Sequence, residues 1–250
     1  MNISIIGTGA VGGAIAKKLA KSGHQVKIAN SQGKGSLEAF AQEIGAEAYN
    51  VENITSDSTD VLILSIPIGA IPKLPKSVFE NLPKNSIIID TSNYYPEIKD
   101  AKIEAIDNGK VESVWVSEQI GRPIIKTFNN LLASSLAEKG KPKGNAGRLA
   151  MQVAGDDEKQ KKIVEQLVDE CGFDAFDNGD LANSWTQQPT SAGYCCDYTV
   201  EELREIKNKS SQTPQSVVKN RFETTMNFAT LTSGDFSVDN IILVNRKYNI

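Results

Sequence analysis

The residues best suited to chemistry come first in the chain. Residues 7–13 read "GTGAVGG", which places Gly7, Gly9 and Gly12 in the spacing G-x-G-x-x-G. An apolar run, Asn2 to Ile6, precedes them, and a helical pattern, "AVGGAIAKKLAKSG", follows. In that context each glycine has its own physical role. The first permits a tight turn, the second lets backbone approach a pyrophosphate, and the third lets helix and strand pack closely. The helix that opens there offers free N–H groups and a partial positive charge to phosphate. Gly7, Thr8, Gly9, Ala10, Val11 and Gly12 are therefore the expected cradle of a dinucleotide.

Which dinucleotide is read about twenty residues on, where the run Val26 to Ala29 ends. An acid at this strand end would accept bonds from both ribose hydroxyls of NAD and repel a 2′-phosphate. Here the residues are Asn30, Ser31, Gln32 and, shortly after, Lys34. An amide, a hydroxyl and a cation suit a phosphate better, so the expected cofactor is NADP(H). Two later strand ends should complete the site, because ligands of open α/β sheets lie outside the carboxyl ends of the strands. These are Ser65-Ile66-Pro67 and the stretch Asp90 to Asn93, followed by Tyr94. Asp90 reads equally as a ligand contact or a turn-forming acid.

The elements that must hold these residues alternate in type. Strands are predicted at Asn2–Ile6, Gln25–Ala29, Val61–Ser65 and Ser86–Asp90, with weaker signals at Glu112–Val116 and Ile124–Phe128. A helix over Ser36–Ile44 has its apolar stripe at Leu37, Phe40, Ala41 and Ile44. Leu149–Ala154, Asp156–Cys171 and Phe173–Phe176 read as a further strand, helix and strand that extend the same sheet. The prediction is an α/β fold of the Rossmann type, doubly wound on a mainly parallel sheet. Residues 1–181 form its dinucleotide-binding domain. Residues 182–250 form a small, partly helical C-terminal region, a lid or a dimer contact, with helices at "VEELREIKNK" and Val217–Leu231.

Composition excludes several classes. A formal net charge of −4 over 250 residues argues against a nucleic-acid partner. The longest apolar run, near Val61 to Ile66, is far short of a membrane span, and the chain opens on "NISIIGTG" without a secretory pattern. A cytoplasmic location is expected. Cys171, Cys195 and Cys196 have neither disulfide nor zinc spacing, so no metal is expected.

The segments "GTGAVGGAIAKKLAKSGHQVKIANSQG", "LSIPIGAIPKL", "IIIDTSNYYP", "IIKTFNN" and "VAGDDEKQKKIVEQLVDECGFDAFDNGDLANSW", in that order, resemble the F-420-dependent NADP oxidoreductases over residues 1 to about 185. The resemblance implies hydride transfer between NADPH and a deazaflavin, coenzyme F-420, or a flavin. It implies that Asn30, Ser31 and Lys34 hold the 2′-phosphate, and that Ile66, Pro67 and Asn93 line the nicotinamide. Phe128 and Asn129 would face the acceptor. Many relatives carry arginine where this chain has Gln32. The ending "SWTQQPTSAGYC" resembles that of bacterial homologues with a longer tail.

Catalytic side chains are scarce. His24 is the one histidine, and it lies between the first helix and second strand, away from the strand carboxyl ends, as a surface turn residue. Hydride exchange with a flavin-type ring needs stacking more than a protein acid, which favours such an acceptor, and no catalytic residue is assigned. Trp185, Tyr194 and Tyr198 read as an apolar wall for such a ring or as packing. Ser117, Glu118 and Gln187-Gln188 read as polar contacts. Two alternatives stay open: a reductase of a small hydroxy acid or imine, and an NADPH-binding sensor without turnover.

Overall fold

In a computed structural model of the chain, which describes residues 1–96 and 98–249, a six-stranded sheet runs in the order β3-β2-β1-β4-β5-β6. Its strands are β1 (Asn2–Ile6), β2 (Gln25–Ala29), β3 (Glu47–Ala48), β4 (Val61–Leu64), β5 (Ile87–Asp90) and β6 (Ile125–Lys126). Every ladder is parallel, and β1 sits between β2 and β4, with Ile6 level with both Ala29 and Leu64. The direction of winding therefore reverses at β1, so the crevice opens at the carboxyl ends of β1, β2 and β4.

Both faces of the sheet are buried, as its unbroken Ile, Val and Leu runs require. On one face Ile3, Ile5, Ile28, Ile63 and Ile89 pack under α1 (Ala10–Lys21), α2 (Glu38–Ile44) and elements further along the chain. On the other, Ile6, Leu62, Leu64 and Ile88 meet Val78 of α3 (Ser77–Glu80), Ile106 of α4 (Glu104–Asp107) and Val116 of α5 (Glu112–Ile120). Helix α1 buries Ile15, Ala16 and Leu19 from one stripe and stops at Ser22, with Gly23 beyond it at φ 90°.

The structure corrects three expectations. Glu112–Val116 is the start of helix α5 and not a strand: Glu112, Val116 and Ile120 recur at helical spacing, and left-handed Gly121 ends the helix. Strand β6 spans two residues because the chain turns at Phe128, φ 59°. β7 (Ala150–Val153) and β8 (Asp174–Asp177) pair in parallel as their own two-stranded sheet, joined to β6 by a single antiparallel bridge between Lys126 and Ala154. Short β3 carried no sequence signal strong enough to predict it.

Between these strands lie α6 (Ala133–Glu138) and α7 (Glu158–Glu170), whose N-terminus is capped by the Asp157 carboxylate. The remaining chain forms α8 (Val200–Lys209), α9 (Pro214–Leu231) and α10 (Val238–Tyr248). Thr199 closes a capping box on α8, and Thr213 does so on α9, which therefore starts before Val217. Among the described residues, no helix is long and apolar enough to cross a membrane.

Candidate active site

The three glycines of the loop differ in what confines them. A Cβ on Gly7 would lie 2.1 Å from the Ser65 carbonyl oxygen, and its φ of 100° already disfavours any side chain. A Cβ on Gly12 would lie 2.0 Å from the Gly7 carbonyl oxygen. Both are fixed by packing of the loop between β2 and β4, where the Gly7 N–H donates to the Ala29 carbonyl at 2.8 Å. At Gly9 a Cβ would meet nothing within 4 Å. The protein's own packing does not require that glycine, so the bare backbone there faces open space.

Gly9 is also the N-cap of α1, and no side chain caps that end or places an acid in its first turn. The helix presents unpaired N–H groups and its positive pole beside Gly9. Both features line a cleft of about 800 Å³. Gly7, Thr8, Gly9, Asn30, Ser31 and Gln32 form one wall of it. Ser65, Ile66 and Pro67 form another, and Leu37, Phe40 and Val51 supply apolar surface.

Asn30 organises the far end. Its Nδ2 donates to Thr8 Oγ1 at 3.4 Å, while its Oδ1 accepts from the Gln32 N–H at 2.9 Å and from Ser36 Oγ at 3.2 Å. The amide thus ties the glycine loop to the turn after β2 and leaves Ser31 and Gln32 exposed at the cleft. None of the described residues lining the cleft carries an ionisable side chain. Lys34 is not among them: it lines the neighbouring groove with Glu38 and Glu47, and its backbone N–H donates to Asn50 Oδ1 at 2.8 Å. Ala10 and Val11 belong to the first turn of α1 and follow the uncapped end.

The later strand ends are covered by the segment from Leu181 to Tyr198. Asn93 and Asn129 face each other, with Asn129 Nδ2 donating to Asn93 Oδ1 at 3.0 Å and to the Gln187 carbonyl at 2.7 Å. Gln187 Nε2 donates back to Asn129 Oδ1 at 2.8 Å, and Gln188 Oε1 accepts from the Glu112 N–H at 2.9 Å. Asn129 and Phe128 therefore lie in the interior under this segment and away from the cleft wall. Tyr94 is fully buried, its hydroxyl donating to Asp107 and accepting from the Ile103 N–H. Trp185 borders a separate cavity of about 180 Å³ beside Lys207.

Beneath these strand ends lies an ion pair that the sequence reading did not single out. Lys126 Nζ, wholly buried, donates to Asp90 Oδ2 at 3.0 Å and to the Ser92 carbonyl. Asp90 also accepts from Ser113 Oγ at 2.8 Å and the Ser92 N–H at 2.9 Å. Asp90 thus combines a turn with a cross-strand tie, and a lysine inside a β pattern is the only sequence sign of it. His24 bonds Glu170 at 2.6 Å and holds the α1–β2 turn against α7. Ser117 and Glu118 bond Arg122 and Lys110 and reach neither cavity.

Residues 2–94 match the family of coenzyme F-420-dependent NADP oxidoreductases. The Escherichia coli protein YjhV is 39% identical over 77 residues, 31% of this chain, and that match spans 49% of its own length. A hypothetical protein from Sinorhizobium meliloti is 28% identical and superposes with a TM-score of 0.63, over 74% of this chain and 87% of that one. A candidate F-420-dependent NADP reductase from Arthrobacter sp. shares the fold at 22% identity and a TM-score of 0.62, with the same coverage. Over residues 2–94, which carry the glycine loop and the strand ends that shape the cleft, the chain is similar to the coenzyme F-420-dependent NADP oxidoreductases, an NAD(P)-dependent oxidoreductase family.

Proposed function

We propose that the cleft binds NADP(H) and that the chain exchanges a hydride between this cofactor and a flavin- or deazaflavin-type acceptor. The observation that carries the first half is Gly9: a glycine with open space at its Cβ position, at the uncapped start of α1, fits the close approach of a pyrophosphate. The bound cofactor supplies a hydride at the nicotinamide ring. The protein's part is to hold and shield it.

Gly9 and the first N–H groups of α1 bond the pyrophosphate oxygens. Ser31 and Gln32 offer neutral donors to a 2′-phosphate, with no carboxylate among the described residues that line the cleft. Ile66 and Pro67 place an apolar edge at the end of β4, which keeps water from the ring. The absence of ionisable side chains along the described cleft wall supports a ring acceptor, since reduction of a flavin-type ring depends on stacking and orientation rather than on a protein acid. NADPH oxidation followed in parallel with F-420, FMN and FAD tests this reading. Turnover with a ring acceptor supports it. NADPH binding with no turnover on any of the three overturns the acceptor half alone.

A further inference from the structure

A second cavity, of about 240 Å³, lies between the buried segment 189–195 and helices α9 and α10. Ile98, Leu132, Pro189, Phe228 and Ile241 make its walls apolar. It shares no lining residue with the dinucleotide cleft. Its polar lining comprises Tyr95, Tyr194, Cys195, Thr190, Thr224 and Asn245, of which Thr190 Oγ1 and Asn245 Nδ2 already donate to the Val217 and Cys195 carbonyls, and no described residue lining it is charged.

The two tyrosine hydroxyls form one pair. The Tyr95 and Tyr194 hydroxyls hydrogen-bond each other. Burial pushes both well above their ordinary titration range, so each keeps its proton at neutral pH. Two O–H donors share one internal contact, which leaves one donor over whichever way the bond runs. A buried donor without an acceptor is costly, and a ligand oxygen in the cavity would satisfy it.

The backbone here is also held in costly conformations. Thr190, Cys195 and Asp197 have φ of 70°, 52° and 49°. Such strain persists only where the surroundings over-determine it, and it concentrates at ligand sites. The clamp is explicit: Asn245 Nδ2 donates to the Cys195 carbonyl at 3.0 Å, and Arg246 Nε to the Cys196 carbonyl at 2.7 Å. On the other flank, Gln212 accepts from the Ala192 N–H at 2.8 Å and donates to the Thr190 carbonyl at 3.0 Å.

We infer that this cavity is a binding site for a small, neutral, largely apolar molecule that carries one hydrogen-bond acceptor, such as a carbonyl oxygen, directed at the Tyr95–Tyr194 hydroxyl pair. Size fits that class, because dry apolar cavities of about 150 Å³ already accept benzene. A flavin with its charged tail does not fit the description, so this is a second site and not the ring site proposed above.

The test uses the whole chain without NADPH, so it stands apart from the cofactor reading. Backbone amide NMR shifts are followed with acetophenone and with ethylbenzene, which has nearly the same shape but no oxygen. Saturable shifts confined to Tyr95, Ile98 and Leu132, to residues 189–198 and to α9 and α10 are expected, with acetophenone about tenfold tighter, the worth of one hydrogen bond. In Tyr95→Phe/Tyr194→Phe the preference for acetophenone should shrink to less than about twofold. Ile241→Trp, which fills the cavity, should abolish binding of both probes while the double phenylalanine variant still binds. No saturable binding in the wild type, equal affinity for both probes, or shifts mapping elsewhere would overturn the inference.

Discussion

Arg221 of α9 reaches Glu112 of α5 at 2.6 Å with both side chains sealed from solvent, and its guanidinium lies 5.4 Å from the centre of the Tyr94 ring. The tail is thereby fastened into the strand-bearing part of the chain by a buried ion pair. Removing one partner of a buried pair strands the other. Arg221→Met is expected to lower stability by roughly 3–5 kcal/mol, whereas Arg221→Met/Glu112→Gln recovers most of that loss. Urea unfolding of the single and double variants checks it, and equal losses in both would deny the coupling.

The loop glycines should separate by role. Gly7→Ala forces a side chain into the Ser65 carbonyl at a left-handed φ, so it should cost at least about 2 kcal/mol of stability and express poorly. Gly9→Ala meets no atom within 4 Å and has an ordinary φ of −67°, so thermal unfolding should change by at most about 1 kcal/mol. Calorimetry on the two variants decides it.

The end of β2 sets the cofactor preference under the reading given above. Ser31→Asp places a carboxylate where the cleft has none, and it should favour ribose hydroxyls over a phosphate. The NADPH to NADH affinity ratio is expected to fall by about tenfold or more, measured by fluorescence titration. An unchanged ratio would place the 2′-phosphate elsewhere.

Lys207 Nζ donates to Gln152 at 3.1 Å, Thr186 at 2.6 Å and Asn178, with no carboxylate partner among these contacts. Burial lowers its ammonium to about 8. An unfolded lysine holds its proton to about 10.4. Between those values the unfolded chain binds more protons, so rising pH stabilises the folded state through this group. The stability of the wild type relative to Lys207→Met, measured by urea unfolding, should therefore rise from pH 8 to pH 10 and stay flat from pH 6 to pH 7.

Local signals made much of this legible in the sequence. The glycine spacing, the β-branched runs and the caps act over a few residues, so the β1–α1–β2 unit and its cleft follow from reading along the chain. What needed distant partners did not. The ion pairs of Lys126 and Arg221 went unread, because Asp90 and Glu112, which admit them to the interior, stand far away in sequence. Residues 187–198 read as a polar and aromatic part of a lid or dimer contact, and all are buried within the chain, since Asn129, Gln152, Asn245 and Arg246 meet their polar groups. Tyr94 read as a ligand contact and Tyr95 was not singled out; Tyr94 is packed away, and Tyr95 lines a cavity.

The central claim, that the Gly9 cleft holds NADP(H), is tested most directly by titrating the wild type and Gly9→Ala with NADPH and following the cofactor's fluorescence. The account predicts saturable binding to the wild type and at least about tenfold weaker binding to Gly9→Ala, with its melting temperature nearly unchanged. Absence of NADPH binding to the folded wild type, or equal affinity in the two proteins, would contradict it.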